Sequence, residues 1–193
     1  MRRMARGVGG CLLAALLLAG NARPLTVEAG LLGACRTVQS PRIRDVYGNG
    51  FVAAPFLAAR VLGGLSLAVG YEFGYARSGT IGLYQESTDL SVHGWEAFLR
   101  WDVTGRRWTP YLKAGIAGFR YEQTIASAVP LSSRARGRKT TLLFGAGARI
   151  RLGERLFGLL EAHYIPLKVK PFEVEVDLGG WRFGLGLGFS LVR

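Results

Sequence analysis

The residues of this chain best suited to acid–base or nucleophilic chemistry are two histidines, Ser91 and a scatter of carboxylates. A serine nucleophile needs a histidine within hydrogen-bond reach and an acid to orient that histidine. On a strand, where side chains alternate between faces, the tell-tale is His-x-Ser, which puts both groups on one face. The segments here read His93-Gly94-Trp95 and His163-Tyr164-Ile165, so neither fits. Ser91 precedes His93 by two and shares its face, but Glu96 has the opposite parity. Two histidines on separate segments, without a cysteine cluster, do not make a metal-ligand set. Gly184-Leu185-Gly186-Leu187-Gly188 lacks the lysine and the following helix of a phosphate-binding loop. The chain is therefore expected to be non-enzymatic, with no catalytic residue, cofactor or metal.

The elements that would carry these residues are alternating strands. The clearest runs from 176 to 191. Trp181, Phe183, Leu185, Leu187, Phe189 and Leu191 fall on one parity, and Gly180, Arg182, Gly184, Gly186, Gly188 and Ser190 on the other. A soluble barrel turns its large apolar side chains inward. Glycines and one arginine cannot fill a core, so the apolar face is expected to meet lipid. Seven further segments alternate, at about 24–34, 51–62, 64–77, 91–103, 109–121, 140–151 and 156–167. In the third, Leu65, Leu67, Val69, Tyr71, Phe73 and Tyr75 oppose Ser66, Ala68, Gly70, Glu72, Gly74 and Ala76. The second is the least regular, because Pro55 interrupts it.

The 193 residues suffice for one domain, and no long uncharged apolar run follows residue 20. Residues 1–22 read as a cleaved secretory signal. Arg2, Arg3 and Arg6 precede the apolar run Cys11–Ala19, and Gly20-Asn21-Ala22 offers small residues for cleavage. Residues 23–193 are then the barrel domain. The formal charge falls from +12 to +9 when those three arginines leave, and Cys35 remains as a single thiol that cannot form an internal disulfide.

Connections alternate in length. Short turns are expected at 62–64, 104–107 and 152–155, and longer polar loops at 35–50, 78–90, 122–139 and 168–177. Short turns at one end and long loops at the other are the pattern of an outer-membrane barrel, with both termini on the periplasmic side. The signal, the eight alternating segments and this asymmetry resemble the superfamily of small eight-stranded outer-membrane β-barrels, the OmpA/OmpX/opacity-like group, over nearly the whole mature chain. Thr109-Pro110-Tyr111-Leu112-Lys113-Ala114-Gly115 looks like the Pro-Tyr-x-x-x-Gly strand start common there. Arg182, Gly184, Leu187 and Phe189 look like its C-terminal assembly signal, although the chain continues past the aromatic as Ser190-Leu191-Val192-Arg193. The resemblance implies an all-β, eight-stranded, antiparallel up-and-down transmembrane barrel in the bacterial outer membrane. It further implies a monomer, handled during biogenesis by the barrel assembly machinery and periplasmic chaperones.

The polar parity of the strands carries Glu72, Glu96, Arg100, Lys113, Arg149, Glu161 and Arg182, with Glu28, Asp102 and His163. The lumen of an eight-stranded barrel is just wide enough for side chains to fill it, so these charges are expected to pair as a plug. Hairpin geometry predicts Glu161 between Arg149 and Arg182. Arg36, Arg42 and Arg44 in the first long loop, and Arg134, Arg136, Arg138 and Lys139 in the third, are expected outside. There, guanidinium groups suit lipopolysaccharide phosphates rather than nucleic acid. A structural or surface-interaction role through the external loops is the leading expectation. A narrow ion or solute pore is the alternative, and a lipid A-modifying barrel enzyme a weaker one.

Overall fold

The computed structural model describes residues 26–82, 85–103, 105, 107–126, 133–170 and 175–192. The signal segment and the Gly20-Asn21-Ala22 cleavage site lie outside these residues. Eight strands close into an antiparallel barrel: β1 (Val27–Arg36), β2 (Gly50–Leu62), β3 (Leu65–Ile81), β4 (Glu86–Asp102), β5 (Trp108–Ala126), β6 (Ser133–Arg151), β7 (Leu156–Ile165) and β10 (Gly180–Val192). Neighbours in sequence are neighbours in space throughout, and β10 pairs back onto β1. Closure leaves no unpaired edge within the barrel wall, which is what permits a sheet to sit in hydrocarbon. A helix, α1 (Pro41–Tyr47), and a two-stranded ribbon of β8 (Lys168–Val169) and β9 (Val176–Asp177) lie in the first and last long connections.

Alternation puts the large apolar side chains outside. On β10, Trp181, Phe183, Leu185, Leu187, Phe189 and Leu191 are 41–69% exposed, whereas Arg182 between them is 1% exposed. Leu67, Leu99, Ala114 and Phe144 continue one such outward row across β3, β4, β5 and β6. Water would not tolerate such a belt. Trp101 and Trp108 near the inner end, and Tyr71, Phe73, Trp181 and Tyr164 toward the outer end, flank it. Among the described residues no helix is long and apolar enough to cross a membrane; the strands do the crossing.

The interior is more apolar than expected. Leu32, Phe98, Phe119, Leu143, Phe157 and Leu159 point inward with the charges, and the inner glycines make room for them. A Cβ on Gly188 would lie 2.2 Å from the Phe157 ring.

Three expectations are corrected. The segments at 78–90 and 122–139 are not loops for most of their length. β3, β4, β5 and β6 run on as paired hairpins, with Ile81 opposite Glu86 and Ile125 opposite Ser133. Tyr75 does not share the face of Tyr71 and Phe73. Gly74 has φ +100° and the β3–β4 register shifts between Glu72 and Tyr75, so the extra residue turns Tyr75 inward, to 2% exposure. Arg36 ends β1 inside the barrel instead of standing in a loop. Pro55 is accommodated within β2: its ladder to β3 pairs Ala53 with Phe73 and resumes at Phe56 with Gly70, as a residue without an N–H requires.

Candidate functional site: the lumen and the outer rim

Strand alternation delivers a charged side chain to the lumen from nearly every strand, and the barrel's narrowness forces those charges together. Two linked networks result. In the outer and middle part, Arg36 Nη1 lies 3.4 Å from Glu72 Oε1, and Arg36 Nη2 donates to the Leu178 carbonyl at 2.7 Å. Arg182 pairs with the other oxygen of Glu72 and donates to Glu96 Oε1 at 2.9 Å. Below it, Glu161 accepts from Lys113 Nζ at 2.5 Å and from the Tyr111 hydroxyl at 2.8 Å. His163 bridges the two levels, with Nδ1 2.8 Å from Glu161 Oε1 and Nε2 3.5 Å from Arg182 Nη1. A neutral ring protonated on Nδ1 satisfies both contacts, donating to the carboxylate and accepting from the guanidinium.

Toward the inner end, Glu28 accepts from Arg100 Nη2 at 2.7 Å and from Arg149 Nη1 at 2.6 Å. Asp102 pairs with Arg100 Nε at 3.0 Å and Arg60 Nη2 at 3.4 Å. Aromatic rings pack the spaces between charges. Arg36 lies over Tyr75 at 4.8 Å, Arg182 over Phe119 at 5.0 Å, Lys113 over Phe98 at 4.6 Å and Arg149 over Phe157 at 4.2 Å. Such desolvated cation–ring contacts add to the ion pairs.

The expected triad of Arg149, Glu161 and Arg182 does not form. Across β6–β7 the residue facing Arg149 is Leu159, and across β7–β10 the residue facing Arg182 is His163. The residues facing Glu161 on either side are Gly147 and Gly184. With no side chain beside it, Glu161 takes Lys113 from β5, two strands away around the barrel, while Arg182 of β10 reaches Glu96 of β4 on the opposite wall. In a lumen this narrow, pairing goes across the bore rather than along the hairpin. Arg36, Arg60 and Tyr111 were not among the residues expected in the pairing network. Inward parity was the available signal for Arg60 and Tyr111.

The residual cavity among Glu96, Arg100, Tyr111, Lys113 and Glu161 is about 30 Å³, room for about one or two waters. The outer mouth is covered by α1. Tyr47 is buried, its hydroxyl 2.7 Å from Thr88 Oγ1 and accepting from Gln123 at 2.8 Å. Burial pushes the Tyr47 hydroxyl pKa up, so it stays protonated. Gly79 lets the helix approach, since a Cβ there would lie 2.3 Å from the Val46 carbonyl oxygen. Tyr75 donates to the Gly48 carbonyl at 3.1 Å and ties the end of the helix to β3.

Outside the barrel, His93, Arg120 and Arg138 face one another across β4, β5 and β6. They lie two residues beyond Trp95 and Gly118 on their strands, next to the edge of the apolar belt. His93 also lies against the Tyr71 ring, with centroids 6.4 Å apart, so its neighbours are aromatic and basic. Beyond this row Arg134 hydrogen-bonds Glu122, and Arg136 Nε lies 3.8 Å from the same carboxylate. The Arg134 hydrogen bond is the main cause of a Glu122 pKa below the usual carboxylate range. Arg42 and Arg44 stand exposed on α1, and Arg138 and Lys139 are exposed on β6.

No protein-family model and no curated protein matches the sequence. Solved structures match over nearly the whole barrel. The outer membrane protein OprG of Pseudomonas aeruginosa superposes with a TM-score of 0.70 at 13% identity, covering 90% of this chain and 98% of that one. Neisserial surface protein A gives 0.59 at 15% identity, with 86% and 97% covered. This chain has the fold of the small outer-membrane β-barrels. A barrel from the de novo design of transmembrane β-barrels also matches, with a TM-score of 0.51 at 14% identity and 88% and 98% covered. A fold alone carries no particular function; for this barrel, function has to be read from the lumen and the rim.

Proposed function

We propose that this protein is a non-enzymatic barrel of the bacterial outer membrane, closed along its axis, that anchors itself to lipid phosphates and presents its extended outer hairpins to the surroundings. The observation that carries the reading is the ion-paired lumen, whose central cavity is about 30 Å³. A hydrated ion would have to break buried pairs to pass, and breaking one such pair costs about 3–5 kcal/mol. The row of His93, Arg120 and Arg138 at the edge of the apolar belt supports phosphate contact, because guanidinium groups match phosphate oxygens bidentately. Lipopolysaccharide is the phosphate-bearing lipid of the outer leaflet that this row would meet. The protein acts as a monomer, and closure of the barrel wall through β1 and β10 supports that reading by leaving no strand edge within the wall for a second copy.

Planar-bilayer recording tests the seal. The folded protein is expected to add no unitary current steps to an otherwise silent membrane. Reproducible steps from the purified barrel would overturn the closed-lumen reading and favour a narrow pore.

A further inference from the structure

The inner mouth of the barrel is not filled. A cavity of about 330 Å³ opens there, lined by Thr26, Arg60, Asp102, Thr109, Arg149 and Arg151 among others. Strand parity explains why these side chains converge. Arg149 and Arg151 are alternate residues of β6 on the parity of buried Leu143, Arg60 follows buried Ala58 on β2, and Asp102 follows buried Arg100 on β4.

Among the described residues the charges at this mouth do not balance. Arg60, Arg100, Arg149 and Arg151 supply four cations, against the two carboxylates of Glu28 and Asp102. Both carboxylates are already shared, Glu28 between Arg100 and Arg149, and Asp102 between Arg60 and Arg100. Arg151 makes no ion pair among the described residues, and the buried Nε of Arg60 has no hydrogen-bond partner there. Two positive charges are therefore left over in a polar cavity with Thr26 and Thr109 beside them.

From this geometry we infer that the inner mouth is a binding site for a soluble divalent oxyanion of the phosphate-monoester type, reached from the periplasmic side. The net excess of two positive charges, with Arg151 unpaired, matches a dianion in charge, and the planar guanidinium forks match a tetrahedral oxyanion in shape. Because the lining residues point into the bore, the ligand enters along the axis and not from the lipid surrounding the wall.

Unfolding midpoints of the intact barrel in nanodiscs, measured against increasing inorganic phosphate at constant ionic strength, test the site. Wild type is expected to show a saturable rise, because a ligand that binds the folded state alone stabilises it by mass action. Arg151→Gln removes an exposed, unpaired member and leaves the buried pairs intact. It is expected to raise the apparent Kd roughly 10-fold or more, the loss of one charge-assisted contact. Arg155→Gln, in the neighbouring turn but outside the cavity lining, is expected to leave Kd unchanged. Absence of saturation in wild type, or equal weakening by both substitutions, would reduce the effect to general charge screening and overturn the site. Discs of phosphatidylcholine and discs containing phosphatidylglycerol should give the same Kd. Competition by the anionic lipid would overturn the soluble source and assign the cations to headgroups.

Discussion

Arg182→Met is the perturbation that loads the lumen most heavily. Arg182 is 1% exposed, and its guanidinium is shared by Glu72 and Glu96, both buried. Methionine keeps much of the volume beside Phe119 and removes the charge. Glu72 then retains Arg36 at 3.4 Å, and Glu96 is left facing the unprotonated Nε2 of His163 at 4.0 Å. Neither is close enough to replace a direct guanidinium contact. Removing one partner of a buried pair costs about 3–5 kcal/mol, because an uncompensated charge stays behind. The loss should fall in this range, nearer the upper end since two acids are stranded. Denaturant unfolding in lipid vesicles, followed through the intrinsic fluorescence of the four tryptophans, gives the difference from the midpoint and slope. Adding Glu96→Gln to Arg182→Met should recover part of the loss, because it removes one stranded carboxylate while Glu72 keeps its pair with Arg36. A loss below about 1 kcal/mol for Arg182→Met alone, the size of an exposed surface pair, would refute the reasoning: Glu72 and Glu96 would then be hydrated or uncharged, and the lumen would not be a dry ion-paired plug.

A double-mutant cycle of Glu161→Gln with Lys113→Met should show coupling above about 0.5 kcal/mol, while Glu161→Gln with Arg149→Gln should be additive within about 0.5 kcal/mol; the opposite result would restore the hairpin pairing. Leu185→Arg, on the most exposed stretch of β10, should cost about 2–4 kcal/mol in vesicles if it faces the bilayer midplane; a neutral effect on unfolding would place that face in water. Vesicles containing lipid A should stabilise the barrel relative to phosphatidylcholine, and Arg120→Gln with Arg138→Gln should remove about 0.5–2 kcal/mol of that gain, the worth of a pair of exposed contacts; an undiminished gain would place the phosphate contacts elsewhere.

The fold was legible because the strand period is unforgiving. A run such as Trp181-Arg182-Phe183-Gly184-Leu185 has no other way to separate its apolar and small residues than as a strand with one face in lipid. What the pattern could not carry was a break in the period. Gly74 sat with Gly70 on the small-residue parity, yet only its positive φ shows that it shifts the register and turns Tyr75 inward, over Arg36. The outer hairpins were not legible as strands, because residues such as Arg134, Arg136 and Arg138 show no apolar alternation. Above the membrane both faces of a hairpin meet water, so polarity no longer separates strand from loop. Parity was the signal for which charges face inward, but their partners depended on reach across the bore. Arg182 to Glu96 spans opposite walls, a contact that no neighbouring-strand rule anticipates.

The account rests on a closed barrel that spans a membrane, and heat-modifiable gel mobility of protein taken from the outer-membrane fraction tests that most directly. A closed β-barrel with no free edge should keep its shape in detergent until boiled, so unboiled and boiled samples should run as distinct bands. Recovery as a soluble periplasmic protein with a single unchanged band would contradict the account, because the apolar faces of β10 and its neighbours would then have to be buried against protein instead of lipid.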